Sequence, residues 1–195
     1  MCLVGRVHPR SLTRVRVVAG ELRGRRIEAP RSDATRPTTD KVREAVFNAL
    51  GSLDVVDGAR VLDLFAGTGA MGIEALSRGA AHCTFVESDR EALTVLRANI
   101  HSLGLESRAT VVASDAVRAA AAQGGIDLLI ADPPYGFTDW SALVTGTSAS
   151  FVVLESGRDI GPIAGWETVR EKRYGRTHVA FLRSDTDGNG TVGDE

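Results

Sequence analysis

Three observations predict a doubly wound α/β fold built on a mostly parallel sheet. Apolar runs of strand length alternate with helical stretches along most of the chain. One such run, Val61-Leu62-Asp63-Leu64-Phe65, enters the glycine turn Ala66-Gly67-Thr68-Gly69, and a helix follows. A second, Ile126 to Ala131, stops at Asp132-Pro133-Pro134-Tyr135. Two prolines lack N–H groups and cannot continue a sheet ladder, so this turn marks a strand's carboxyl end. In open α/β sheets that edge is where ligands sit.

Each element has its own signal. Val15-Arg16-Val17-Val18 and Arg25-Arg26-Ile27 flank a glycine-containing turn and read as a small hairpin. Thr38 or Thr39 can cap a helix from Asp40 to about Leu50, whose Val42, Ala45, Val46, Ala49 and Leu50 share one face. The helix after the glycine turn runs from Met71 to about Arg78 and is closed by Gly79. Cys83 to Val86 is the next strand, ending at Glu87. Ser88 and Glu91 have capping-box spacing for a helix reaching about Ile100. Thr110 to Ala113 is a third strand, ending near Asp115. After the double-proline turn come a short irregular stretch and a strand over 151–155. Trp166–Tyr174 and Thr177–Arg183, around Gly175, read as a closing antiparallel pair. The expected organisation is a disordered extension over 1–14, a nucleic-acid-binding hairpin and helix over 15–50, the sheet domain over 51–183 and a disordered acidic tail over 184–195.

Charge is uneven. Residues 1–50 carry 11 Lys and Arg against 5 Asp and Glu, whereas residues 51–183 carry 12 against 16. A basic front on an acidic body suggests a polyanionic partner, with Arg23, Arg25, Arg26 and Arg36 as candidate contacts. No run of 18 apolar residues exists, so no membrane partner is expected. Two cysteines, Cys2 and Cys83, give neither a disulfide framework nor metal-ligand spacing; a reducing cytoplasm and no metal are expected.

Gly67 to Gly72 matches G-x-G-x-x-G, a weak signal alone, and three carboxylates choose between cofactors. Asp63 lies inside a strand end, where it can hold a cationic amino group but would repel a diphosphate. Glu87 can accept hydrogen bonds from two ribose hydroxyls. Asp115, with Ala116, lies where an adenine edge would rest. Together with Ala66, Gly67, Thr68 and Gly69 they favour S-adenosylmethionine over NAD. At the other turn, Asp132 and the Pro133 carbonyl can accept hydrogen bonds from an exocyclic amine, and Tyr135, after Pro134, can stack on the base carrying it.

The runs Arg36-Pro37-Thr38-Thr39-Asp40-Lys41-Val42-Arg43-Glu44 and Leu62 to Gly69, with Asp132-Pro133-Pro134-Tyr135, resemble the RsmD family over about residues 15–183. The first run is the specific part; the double-proline turn is shared by amino-methyltransferases of DNA and RNA. The resemblance implies a Rossmann-like class I methyltransferase fold. It also implies methyl transfer from S-adenosylmethionine to a guanine N2 amine of 16S ribosomal RNA, on an assembled small subunit. A monomer is expected. Residues 138–150 are short for the family. Two further readings stay open at this point: a DNA or other RNA amino-methyltransferase, for which 195 residues leave little room for a target-recognition domain, and a non-enzymatic RNA- or NAD-binding protein.

Overall fold

Seven strands form one twisted sheet in the computed structural model, which describes residues 15–29 and 40–185. In chain order the elements are β1 (Val15–Arg16), β2 (Arg26–Ile27), α1 (Asp40–Ser52), β3 (Arg60–Leu64), α2 (Ala70–Ser77), β4 (His82–Glu87) and α3 (Arg90–Leu103). Then follow β5 (Ala109–Ala113), α4 (Ala116–Ala122), β6 (Leu128–Ala131), α5 (Trp140–Val144), β7 (Phe151–Ser156), β8 (Trp166–Tyr174) and β9 (Thr177–Ser184). The sheet order is β5-β4-β3-β6-β7-β9-β8, and β3 to β7 are parallel. β9 inserts antiparallel beside β7, and β8 forms the outer edge.

The strands alternate between two cores because successive side chains leave a strand on opposite faces. Val61, Leu128, Ile130, Phe151 and Val153 face α1, α2 and α3. Leu62, Leu64, Leu129, Val152 and Leu154 face α4 and α5. The strand order reverses between β3 and β6: β4 lies to one side of β3 and β6 to the other. The cleft above this switch point lies between the glycine turn and the double-proline turn.

The amino-terminal elements are built into the first core. Val15, Val17, Ile27, Val46 and Phe47 pack in the same cluster as Ile73 and Leu76 of α2. The division drawn at residue 50 therefore falls inside α1, which continues to Ser52. The strands of the hairpin are two residues each, shorter than read, because the chain turns away to dock on α2. Val18 and Ala19 donate their backbone N–H groups to the buried Glu74 carboxylate at 2.8 and 3.0 Å, and Glu21 donates to the Ser77 carbonyl at 2.8 Å.

Two helix starts also differ from the reading. α3 is capped by Asp89, whose carboxylate accepts from Ala92 N at 2.8 Å, not by Ser88. Glu87 accepts from both the Ser88 and Asp89 amides, and the helix starts after them at Arg90. Before α2 the chain adopts a left-handed conformation at Gly69, φ 82°, so the helix begins at Ala70. The expected caps Thr38 and Thr39, residues 1–14 and most of the acidic tail lie outside the described residues.

Candidate active site

The glycine turn is held from below and from the side. Asp63, on β3 and only 3% exposed, accepts the Gly72 N–H at 2.8 Å and so fixes the first turn of α2. Gly72 must be glycine for a packing reason. A Cβ there would lie 2.3 Å from the Phe85 ring and 2.5 Å from Cys83 Sγ, so α2 could not approach β4 as closely. Glu87, at the end of β4, accepts the Gly67 N–H through Oε2 and the Ser88 and Asp89 N–H groups through Oε1, each at 2.8 Å. Asn99 of α3, 1% exposed, donates to the Thr68 carbonyl at 2.9 Å while pairing with both backbone groups of Glu28. Phe65, the residue between β3 and Ala66, has φ 60°, a left-handed backbone that costs a bulky residue of order 1–3 kcal/mol. That strain sits at the mouth of the cleft.

Across the switch point, Asp132 leaves β6 partly buried, and Tyr135 is 69% exposed, the one large aromatic so presented among the described residues. The Pro134 carbonyl accepts from Phe137 N at 3.2 Å, whereas the Pro133 carbonyl joins none of the turn's hydrogen bonds among the described residues. Phe137 stacks edge-on to Phe65 (5.6 Å between centroids) and to Trp140 (5.1 Å), tying the turn to β3 and α5. These aromatics, with Asn99 and Glu74, were not singled out from the sequence. Glu74 had a signal: it is the one charge in the otherwise apolar helix Ala70–Ser77.

Electrostatically the cleft is negative. Burial raises the Asp63 carboxyl to about 7; the Gly72 hydrogen bond opposes this, and the charges of Asp132 and Glu87 add to it. Three carboxylates from three adjacent strands thus feel one another at one sheet edge. Asp115 is exposed at the end of β5 and caps α4 by accepting from Arg118 N at 3.0 Å, with Ala116 buried behind it. This set of acceptors fits a cationic ligand with hydroxyl and amine donors and opposes a diphosphate.

The basic residues are distributed differently. The turn bearing Arg23 and Arg25 docks on the carboxyl end of α2, and Arg25 donates to the Ser102 carbonyl at 2.8 Å. Glu21 in the same turn pairs with Arg108, just before β5. These contacts place the turn at the amino edge of the sheet, opposite Asp132, with a strand of roughly 17 Å between them. Arg26 is exposed on β2, and Arg36 lies outside the described residues. Arg43, from the motif over 36–44, is fully buried: it pairs with Asp40 and lies 3.5 Å from Glu74. Its role here is structural. His82 meets Thr110 Oγ1 at 2.9 Å and His101 meets Glu106 at 2.6 Å, both away from the cleft.

A family model described as Conserved hypothetical protein 95 matches residues 15–183. The Ribosomal RNA small subunit methyltransferase D of Escherichia coli K12 is 43% identical over 190 residues, covering 89% of this chain and 92% of that one. The chain belongs to this family, the RsmD rRNA methyltransferases. A solved structure of the Escherichia coli protein yhhF superposes on this RsmD-family chain with a TM-score of 0.76 at 35% identity, covering 88% of it and 98% of yhhF. A Salinibacter ruber RNA methyltransferase solved with S-adenosyl-L-homocysteine shares the fold, with a TM-score of 0.61 at 17% identity, covering 82% of this chain and 98% of that one. The Rossmann-like class I methyltransferase fold is thus the architecture of this RsmD-family chain. No described helix is long and apolar enough to cross a membrane.

Proposed function

We propose that this protein transfers a methyl group from S-adenosylmethionine to the N2 amine of a guanine in 16S ribosomal RNA, acting as a cytoplasmic monomer on the small subunit. The observation that carries this reading is the convergence of Asp63, Glu87 and Asp132 on one edge, beside a double-proline turn that presents Tyr135. S-adenosylmethionine supplies an electrophilic methyl on a sulfonium cation. Asp63 and the backbone of Ala66, Gly67, Thr68 and Gly69 hold its amino-acid end, Glu87 its ribose, and Asp115 with Ala116 its adenine edge.

The chain's contribution to the chemistry is position and charge. A guanine N2 lone pair is delocalised into the ring, so the amine is a poor nucleophile. Asp132 and the Pro133 carbonyl accept its two N–H bonds and favour the geometry that frees the lone pair. Tyr135 stacks on the extruded base, worth about 1–3 kcal/mol, which offsets the few kcal/mol of taking the base out of its loop. As the N2–methyl bond forms, the methyl–sulfur bond breaks, the neutral thioether leaves, and one N2 proton passes by way of the Asp132 carboxylate to solvent, so that orientation and fixed dipoles account for the rate. Arg23, Arg26 and Arg36 serve as outlying phosphate contacts on a substrate much larger than the cleft.

Calorimetry with S-adenosylmethionine and NAD tests the cofactor assignment. The expected result is binding of the former alone. Glu87→Ala should weaken it by tenfold or more, because charge-assisted hydrogen bonds are worth roughly 1.5–3 kcal/mol each. NAD binding, or an unchanged affinity in the variant, would overturn the assignment. Methyl transfer to DNA in preference to ribosomal RNA would favour the DNA-methyltransferase reading.

A further inference from the structure

We propose that the tip of the β8–β9 hairpin, with the concavity at its base, is the surface that grips the RNA strand on either side of the target nucleotide. The proposal rests on the function proposed above and names the part of the chain that holds that substrate.

The register places this tip at the reactive edge. β7 ends with Glu155 opposite Val179 and Ser156 opposite His178. On β8, Lys172 lies opposite Val179 and Arg173 opposite His178. Ala131, the last residue of β6, pairs with Leu154, so Asp132 leaves the sheet level with Glu155 and Lys172. The hairpin turn, Gly175 and Arg176, therefore extends past the carboxyl edge on the side where Asp132 and Tyr135 lie. Three strand spacings separate β6 from β8, roughly 14 Å, a reach of a few nucleotides.

Charge and shape agree with that placement. Residues 170–178 carry Arg170, Lys172, Arg173 and Arg176 against Glu171 alone, although the whole chain is net −2. Lys172, Arg173 and Arg176 are exposed. Between the hairpin and the loop after β7 lies a concavity of about 190 Å3, lined by Asp159, Ile160, Glu171, Lys172, Arg173 and His178 among others, so the excess of positive charge lies at the hairpin tip rather than in the concavity. The loop after β7 also touches the double-proline turn. The backbone at Gly157 lies so close to Tyr135 that a Cβ there would stand 2.9 Å from the ring, and Arg158 donates to the Phe137 carbonyl at 3.4 Å. A base stacked on Tyr135 would thus have its neighbouring phosphates beside the hairpin's cations. The arginine turn at residues 23–25 stands at the opposite edge and cannot make these contacts.

The test replaces Lys172, Arg173 and Arg176 together by Ala in the full chain. Binding to a 16S RNA fragment is measured across a salt series, alongside KM for methylation of small subunits and affinity for S-adenosylmethionine. The expected result is a KM raised tenfold or more and a log–log salt slope shallower by roughly 2–3, since each phosphate contact contributes about 0.7–0.9. Cofactor affinity and Tm report that the variant is folded, and R173K/R176K should restore most of the slope. An unchanged slope and KM in a chain that methylates RNA would overturn the hairpin assignment alone. A loss confined to small subunits, with RNA-fragment binding intact, would also overturn it and point to a ribosomal protein as the partner. Failure of the unaltered chain to bind RNA would overturn the function proposed and this inference with it.

Discussion

Asp132 and Asp63 are carboxylates on adjacent strands, yet their surroundings assign them different work. Asp132 is partly exposed beside a carbonyl outside the turn's hydrogen bonds, the place proposed above for the substrate amine. Asp132→Ala should lower kcat/KM more than tenfold, over about 1.4 kcal/mol, while S-adenosylmethionine affinity changes little. A variant keeping more than a tenth of the activity would remove Asp132 from the chemistry. Asp63 is enclosed, and its carboxyl is raised to about 7 from an ordinary 3.8. A raised carboxyl means the folded state keeps a proton that the unfolded chain has lost. Its stabilising contribution is therefore complete below pH ~4 and is lost as pH rises to about 7, by up to about 4 kcal/mol. Asp63→Asn keeps an acceptor for the Gly72 N–H but cannot titrate. Urea unfolding of the unliganded protein from pH 4.5 to 7.5 should show a flatter pH dependence for Asp63→Asn than for the parent. Equal slopes would mean that Asp63 is ionised throughout.

At the scale of elements, α2 is the hub: its start is seated on β3 and β4, and its end receives the amino-terminal hairpin. Gly72→Ala drives a methyl into Phe85 and Cys83 from a rigid helix. It should cost about 1–3 kcal/mol, read as a lower Tm, and weaken cofactor binding through the displaced Gly67–Gly69 turn. Arg43→Ala leaves Glu74 buried with fewer cationic partners, Arg78 among those that remain. The expected loss is about 3 kcal/mol, with the hairpin over 15–27 becoming the first site of proteolysis. Arg43→Met should cost much less if volume rather than charge is what the site needs. Legibility in the sequence follows the same physics. The strands β3, β4 and β6 were readable because both of their faces are buried and they end at a punctuating Gly, acid or Pro, and the edge strand β5 by its β-branched Thr110-Val111-Val112 run before Asp115. α4 and α5 were not read, since Ala-rich 116–122 lacks a polar stripe and 140–144 is barely more than one turn. Arg43 was read within a motif but not as a core residue, because burial of a guanidinium depends on Asp40 and on Glu74, 31 residues away. The Asp63, Glu87 and Asp132 grouping was legible from their positions at strand ends. The β8–β9 cations were not, because only the register of β9 against β7 brings them to that edge.

Taken whole, the molecule sets opposite charges side by side at one edge of its sheet. The carboxyl edge joins a negative cleft to a positive hairpin, an arrangement suited to a cationic methyl donor and a polyanionic acceptor held side by side. The amino edge carries the arginine turn, braced on α2 and α3. The position at which the methyl group ends up decides the function. Small subunits lacking the modification are incubated with the full chain and methyl-labelled S-adenosylmethionine, and the digested nucleosides are analysed by mass spectrometry. The expected result is label in N2-methylguanosine from 16S RNA, and none with the Asp132→Ala variant. Label in a methylated adenine, in DNA or in protein, or an Asp132→Ala variant as active as the parent, would contradict it.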